Sequence, residues 1–218
     1  MTARNGPPKT APDRLPERLI VGISGASGVI YGIRLLEALR PLPIETHLVI
    51  SRSGEVTLAY ETDRKVAEVK ALASVCHPVA DIGAAISSGS FRTLGMVIAP
   101  CSIRSMAEIA TGVTSTLLTR AADVTLKERR RLVLMLRETP LHSGHLRNLL
   151  ALSEMGAVIA PPVPAFYANP RTIDDLVDQS VGRVLDLFGI DSPLVRRWGE
   201  AEASGEPPLR AVKRARRK

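Results

Sequence analysis

The sequence predicts an α/β fold, one domain whose mainly parallel sheet lies between two layers of helices. Three observations carry this reading. Short β-branched apolar runs alternate with helical patterns from about residue 18 to residue 190, the order expected of repeated βαβ units. Apolar residues make up 45% of the chain but aromatic ones only 3%, so Val, Ile, Leu and Ala must fill the interior, as they do in a sheet covered on both faces. The length of 218 residues suits a single domain with one sizeable core.

Strands are expected at 19–23, 47–50, 96–99, 132–136 and 157–160, and helices at 30–40, 56–72, 105–109, 115–127, 145–155 and 172–188. In such sheets ligands bind beyond the carboxyl ends of the strands, so the residues after each apolar run are the candidates. The first strand runs into Ser24-Gly25-Ala26-Ser27-Gly28 and then a helix. Small residues let backbone approach an anion, and the helix N-terminus supplies N–H groups. A tight turn with no ligand is the alternative. The spacing is not G-x-G-x-x-G, and the second strand ends in Ser51 rather than the acidic residue a dinucleotide site uses, which favours a mononucleotide such as FMN over NAD.

The third run ends in Pro100-Cys101-Ser102-Ile103-Arg104-Ser105, offering hydroxyls, a guanidinium and a second helix N-terminus. With no base beside it in sequence, Cys101 reads as a small buried thiol rather than a nucleophile. The fourth run ends in Arg137-Glu138-Thr139-Pro140, and the fifth in a proline-rich loop that carries Phe166 and Tyr167. A structural ion pair and a plain turn are the bland readings of these two. In the helical segments, Arg120 and Lys127 are seven apart and so share one side of a helix. The clearest helix has Ile173, Leu176, Val177, Ser180, Val181, Val184 and Phe188 at helical spacing, with Arg183 at the edge of that stripe. Arg104, Arg120, Lys127, Arg137 and Arg183 together suit more than one phosphate group. His142 and His145 lack a matching carboxylate or thiol cluster, so no metal is expected.

The net charge of +7 sits in the ends of the chain. Residues 206–218 hold six basic side chains against one acidic, and residues 1–18 four against two, which leaves the middle near neutral. A nucleic-acid binder is therefore not expected. Residues 1–17 read as a disordered leader, 18–200 as one domain, and 201–218 as a basic disordered tail. Two cysteines and no apolar run long enough to span a bilayer point to a cytoplasmic protein.

Several of these segments, taken together and in order, resemble the UbiX/Pad1 flavin prenyltransferases. They are residues 20–28, Glu61-Thr62-Asp63, Pro100-Cys101-Ser102, Arg120-Ala121-Ala122-Asp123, residues 126–130, Arg137-Glu138-Thr139-Pro140 and Pro164-Ala165-Phe166-Tyr167. The resemblance covers roughly residues 18–198. It implies a Rossmann-like flavoprotein fold, usually a homo-dodecamer, with FMN held at subunit contacts. It implies transfer of a dimethylallyl group from dimethylallyl monophosphate, without a metal, to N5 and then C6 of reduced FMN. The prenylated FMN then serves a UbiD-type decarboxylase.

Carried over by position, Gly25, Ala26, Ser27, Ser51, Ser102, Ile103, Arg104, Ser105 and Arg137 contact FMN, Arg104 through its backbone. Arg120, Lys127, Glu138, Tyr167 and Arg183 surround the dimethylallyl phosphate, and Trp198 closes over it. Ser27, Glu61 and Glu138 handle protons. Two rival functions stay open at this point: a non-catalytic FMN carrier, and a flavin-dependent cysteine decarboxylase. The second is disfavoured by the absence of a Met-Asn pair in the fifth loop.

Overall fold

The structure, a computed structural model, describes residues 17–198. The expected tail and all of the expected leader except Glu17 lie outside those residues. Six strands form one sheet in the order β3-β2-β1-β4-β5-β6, and every pairing is parallel. They are β1 (Glu17–Ile23), β2 (Ile44–Ile50), β3 (Val75–His77), β4 (Gly95–Cys101), β5 (Arg131–Leu136) and β6 (Val158–Ile159). The helices are α1 (Val29–Leu39), α2 (Arg52–Glu61), α3 (Val66–Lys70), α4 (Ile103–Ala110), α5 (Leu117–Lys127), α6 (Ser143–Glu154) and α7 (Ile173–Leu187).

β1, β4 and β5 are apolar over most of their length because both of their faces are covered, while β2 also carries Glu45, Thr46 and His47. All seven residues of β4 are buried. On one face α1, α2, α3 and α7 pack against Leu19, Val21, Ile23, Val97, Val133 and Met135. On the other, α4, α5 and α6 pack against Ile20, Met96, Ile98, Leu132 and Leu134. Gly32 allows the closest approach: a Cβ there would overlap the Ala99 carbonyl and the Ile23 side chain, so α1 lies directly on β1 and β4. Arg34 on α1 makes a bidentate ion pair with Asp178 on α7, at 2.5 and 3.1 Å, and fixes these two helices together.

Three local features differ from the expected elements. The helix expected over 56–72 is two, α2 and α3, because Thr62 is extended (φ −140°, ψ 157°) and Lys65 starts a new helix whose Glu68 bonds back to the Lys65 amide. The three-residue edge strand β3 is too short and too exposed to leave a hydrophobic pattern. Ile173, expected in the stripe of α7, is exposed at the first turn of that helix.

Candidate active site

Strand order reverses between β1 and β4, which run side by side and parallel while their onward connections leave to opposite sides. A crevice opens at the carboxyl ends of such strands. Buried Ser24 ties the two loops there: its hydroxyl donates to the Pro100 carbonyl (2.9 Å) and accepts from the Ser102 amide (2.7 Å). Gly25 must be glycine, since a Cβ would overlap the Ser53 side chain. Ser51 caps α2 by accepting from the Gly54 amide (3.0 Å), and its hydroxyl meets that of Ser53 (3.1 Å). Ser102 caps α4 in the same way, accepting from Ser105, with the two hydroxyls 3.2 Å apart.

Gly25, Ala26, Ser27, Ser51, Ser102 and Ser105 therefore come from three strand ends to one edge. Ile103 packs into the core beneath them. Arg104 points away: its side chain is 82% exposed and paired with Glu108 at 2.8 Å. The Arg137 amide donates to the Cys101 carbonyl (3.1 Å), which sets its exposed guanidinium beside the first loop. Glu138 follows, exposed, its carboxylate accepting from the Thr139 amide.

Glu61 ends α2 and reaches back to the start of α1, accepting from the Gly28 amide at 2.8 Å and the Val29 amide at 3.1 Å. The amides expected to cradle an anion are thus already taken by a carboxylate. Partial burial pushes the Glu61 carboxyl upward. Hydrogen bonds from Ser27, Gly28 and Val29, with the charge of Arg137, outweigh it and hold the group below its ordinary value. Ser27 and Glu61 thus form a hydrogen-bonded pair within reach of the Arg137 charge, and Glu138 follows Arg137 in the chain. The break between α2 and α3 is what lets Glu61 end a helix here.

A second cluster lies against α7. The Tyr167 hydroxyl accepts from Gln179 (3.1 Å), and its ring meets Trp198 edge to face, centroids 5.6 Å apart. Arg183, one turn beyond Gln179, shares Asp186 with Arg197. Gln179 and Arg183 line a cleft of about 210 Å³ with Met135 and residues 160–163, at the ends of β5 and β6. Gln179 escaped sequence reading because a buried amide outside the apolar stripe leaves no periodic signal.

Arg120 and Lys127 lie elsewhere. Both are on α5, on the face of the sheet opposite α7. Arg120 pairs with Asp123 at 2.8 Å and Lys127 with Glu128. Lys127 ends the helix that leads into the start of β5, so it stands at the amino edge of the sheet while Glu138 stands at the carboxyl edge. One chain does not gather Lys127, Glu138, Tyr167 and Arg183 around a single phosphate.

Cys101 is fully buried, and burial pushes its thiol up to about 12, which makes it a packing residue. His142 caps α6, accepting from the Gly144 amide at 3.0 Å. Among the described residues no group of three or more His, Cys, Asp or Glu is placed to hold a metal. No helix among them is long and apolar enough to cross a membrane.

Comparison with known proteins decides the family. The Flavoprotein family model matches residues 9–185. The flavin prenyltransferase UbiX of Thauera aromatica is 57% identical over 181 residues, 83% of this chain and 93% of that protein. The chain belongs to the UbiX/Pad1 family of flavin prenyltransferases. A crystal structure of AnUbiX (PadA1) in complex with FMN and dimethylallyl pyrophosphate has a TM-score of 0.84 at 52% identity, covering 86% of this chain and all of that one. A dodecameric FMN-dependent UbiX-like decarboxylase from Escherichia coli O157:H7 has a TM-score of 0.82 at 52% identity, covering 84% and 100%. The six-stranded parallel sheet is thus the flavoprotein fold of this family.

Proposed function

We propose that this enzyme transfers the dimethylallyl group of dimethylallyl monophosphate to reduced FMN, acting as a homo-dodecamer in the cytoplasm and supplying prenylated FMN to a UbiD-type decarboxylase. The observation that carries the reading is the cluster at the switch point. Serine hydroxyls from three strand ends, a loop whose Gly25 leaves room only for Ser53, and the exposed Arg137 suit a flavin mononucleotide. Gly25, Ala26, Ser27, Ser51, the backbone of residues 102–105 and Arg137 hold it. Reduced FMN supplies the nucleophilic ring that accepts the prenyl group.

The residues of this chain do the rest. Arg183, with Arg120 and Lys127, takes up the negative charge that grows on the leaving phosphate, the work a divalent cation does elsewhere. Glu138 holds or delivers a proton to that phosphate, and Tyr167 and Trp198 wall the donor. Glu61, kept ionised below its ordinary range, accepts through Ser27 the proton that ring closure releases. Because Lys127 is at the wrong edge of its own sheet, it and Arg120 serve the site of a neighbouring copy, and the active site is complete only in the assembly.

The reading is tested by anaerobic release of inorganic phosphate from dimethylallyl monophosphate. Release that depends on reduced FMN supports it. No release, or release indifferent to flavin, rejects it.

A further inference from the structure

We infer that Gln179 is a positioning residue that aims the Tyr167 hydroxyl and latches the Trp198-bearing segment over the donor cleft. The inference rests on the donor-site reading of Tyr167 and Trp198 given above. Gln179 is buried, with 4% of its surface exposed, in the middle of α7. Its side-chain amide makes three bonds. Nε2 donates to Tyr167 Oη (3.1 Å) and to the Arg196 carbonyl (3.2 Å), while Oε1 accepts from the Arg196 amide (2.9 Å). The Arg196 N–H can only donate, so Oε1 must face it and the NH₂ must face Tyr167. The opposite rotamer would set two donors together at one end and oxygens together at the other.

This fixed orientation has a chemical consequence. A phenol that accepts from Gln179 has its own O–H free to donate elsewhere. The Tyr167 proton is thereby directed toward a phosphate oxygen instead of being spent on the protein.

The same amide also holds the segment that follows α7. Residues 191–198 run back along the helix, and Gly182 is where they seat: a Cβ there would overlap Val195. Arg197 adds a bidentate pair with Asp186 (2.7 and 2.9 Å), and Arg196 donates to the Ala168 carbonyl (3.1 Å). These contacts end at Trp198, whose ring is 72% exposed but meets Tyr167 edge on. Gln179 is bonded both to the tyrosine and to the segment that carries the tryptophan.

Trp198 is the only tryptophan in the chain, so its fluorescence reports this segment alone. The test compares wild type, Gln179→Leu, Tyr167→Phe and the double variant, by acrylamide quenching of Trp198 and by KM and kcat for dimethylallyl monophosphate. Gln179→Leu is expected to make Trp198 more quenchable. It should also raise KM by about fivefold, the size of one neutral hydrogen bond, with kcat much less affected. In the double variant the two effects on KM should combine less than additively, because the aiming role of Gln179 is already lost in Tyr167→Phe.

Wild-type quenching in folded Gln179→Leu, or additive effects on KM, would overturn the inference. Should Gln179→Leu fail to fold, Gln179→Glu decides. It keeps an acceptor for the Arg196 amide but draws the phenol proton to itself, so a wild-type KM in that variant also overturns it. If the wild-type enzyme makes no prenylated flavin, the donor-site reading fails instead, while the quenching contrast still tests the latch.

Discussion

Replacing Glu61 by Gln removes one charge and leaves the shape of the side chain almost unchanged. In the native protein the carboxylate accepts from Gly28 and Val29 at 2.8 and 3.1 Å, at the start of α1, where negative charge is favoured. Charged hydrogen bonds contribute about 1.5–3 kcal/mol when shielded, but Glu61 is exposed, and solvent screening brings the expected loss to about 1 kcal/mol. For a domain of this size that lowers Tm by about 2–4 °C at neutral pH.

The pH dependence has a definite sign. Glu61 is held below its ordinary value of 4.5, so its contribution is present above that value and is lost as pH falls through the lower, folded one. The Tm difference between wild type and Glu61→Gln should therefore be full at pH 7 and shrink in acid below about pH 4.5. The catalytic expectation is sharper. Glu61→Gln keeps FMN but loses ring closure, since an amide cannot take the released proton. Thermal melts across pH, with chromatography of the flavin released from an anaerobic reaction, measure both. Unchanged Tm at pH 7 together with wild-type amounts of the closed product would refute the role given to this carboxylate.

Mixed assemblies offer a separate check on the divided site. Lys127→Ala and Glu138→Gln should each be inactive alone, and co-expression of the two should restore measurable turnover, because some sites then receive Lys127 from one chain and Glu138 from another. No restoration in assemblies shown to contain both would contradict the sharing. Arg104→Ala should leave FMN affinity within about twofold of wild type, since an exposed i,i+4 pair with Glu108 contributes only about 0.3–0.5 kcal/mol and its side chain faces solvent; a larger loss by titration would place that guanidinium on the flavin. Gly32→Ala should destabilise by about 1–3 kcal/mol through overlap with the Ala99 carbonyl, read as a lower Tm. Cys101→Ala should retain turnover, because a fully buried thiol held near 12 is no nucleophile at neutral pH; loss of activity in folded protein would reopen its role.

Much of the fold was legible because parallel strands covered on both faces have to be apolar where they are buried, and β4 and the buried parts of β1 and β5 are. The loops of the site followed from strand order alone, since Ser24 to Gly28, Ser51, Ser102 and Arg137 are each the first residues past an apolar run. Three things were hidden. β3 is held by pairing with β2, not by its own pattern, so nothing local announces it. The break after Glu61 is set by Thr62 leaving helical conformation and by Lys65 being capped anew, which a continuous helical spacing over 56–72 masks. The placing of Lys127 against Glu138 depends on which sheet face and edge each element occupies. Sequence order puts them eleven positions apart, while the fold sends them to opposite edges. Gln179 was hidden for a related reason, because its partners Tyr167 and Arg196 come from segments on either side of it in the chain.

The most direct test of prenyl transfer is mass spectrometry of the flavin released after anaerobic incubation of the full chain with reduced FMN and dimethylallyl monophosphate. The account predicts a flavin heavier by one five-carbon prenyl unit, formed only when enzyme and both substrates are present. Unmodified FMN, recovered from protein shown to bind it, would contradict the account.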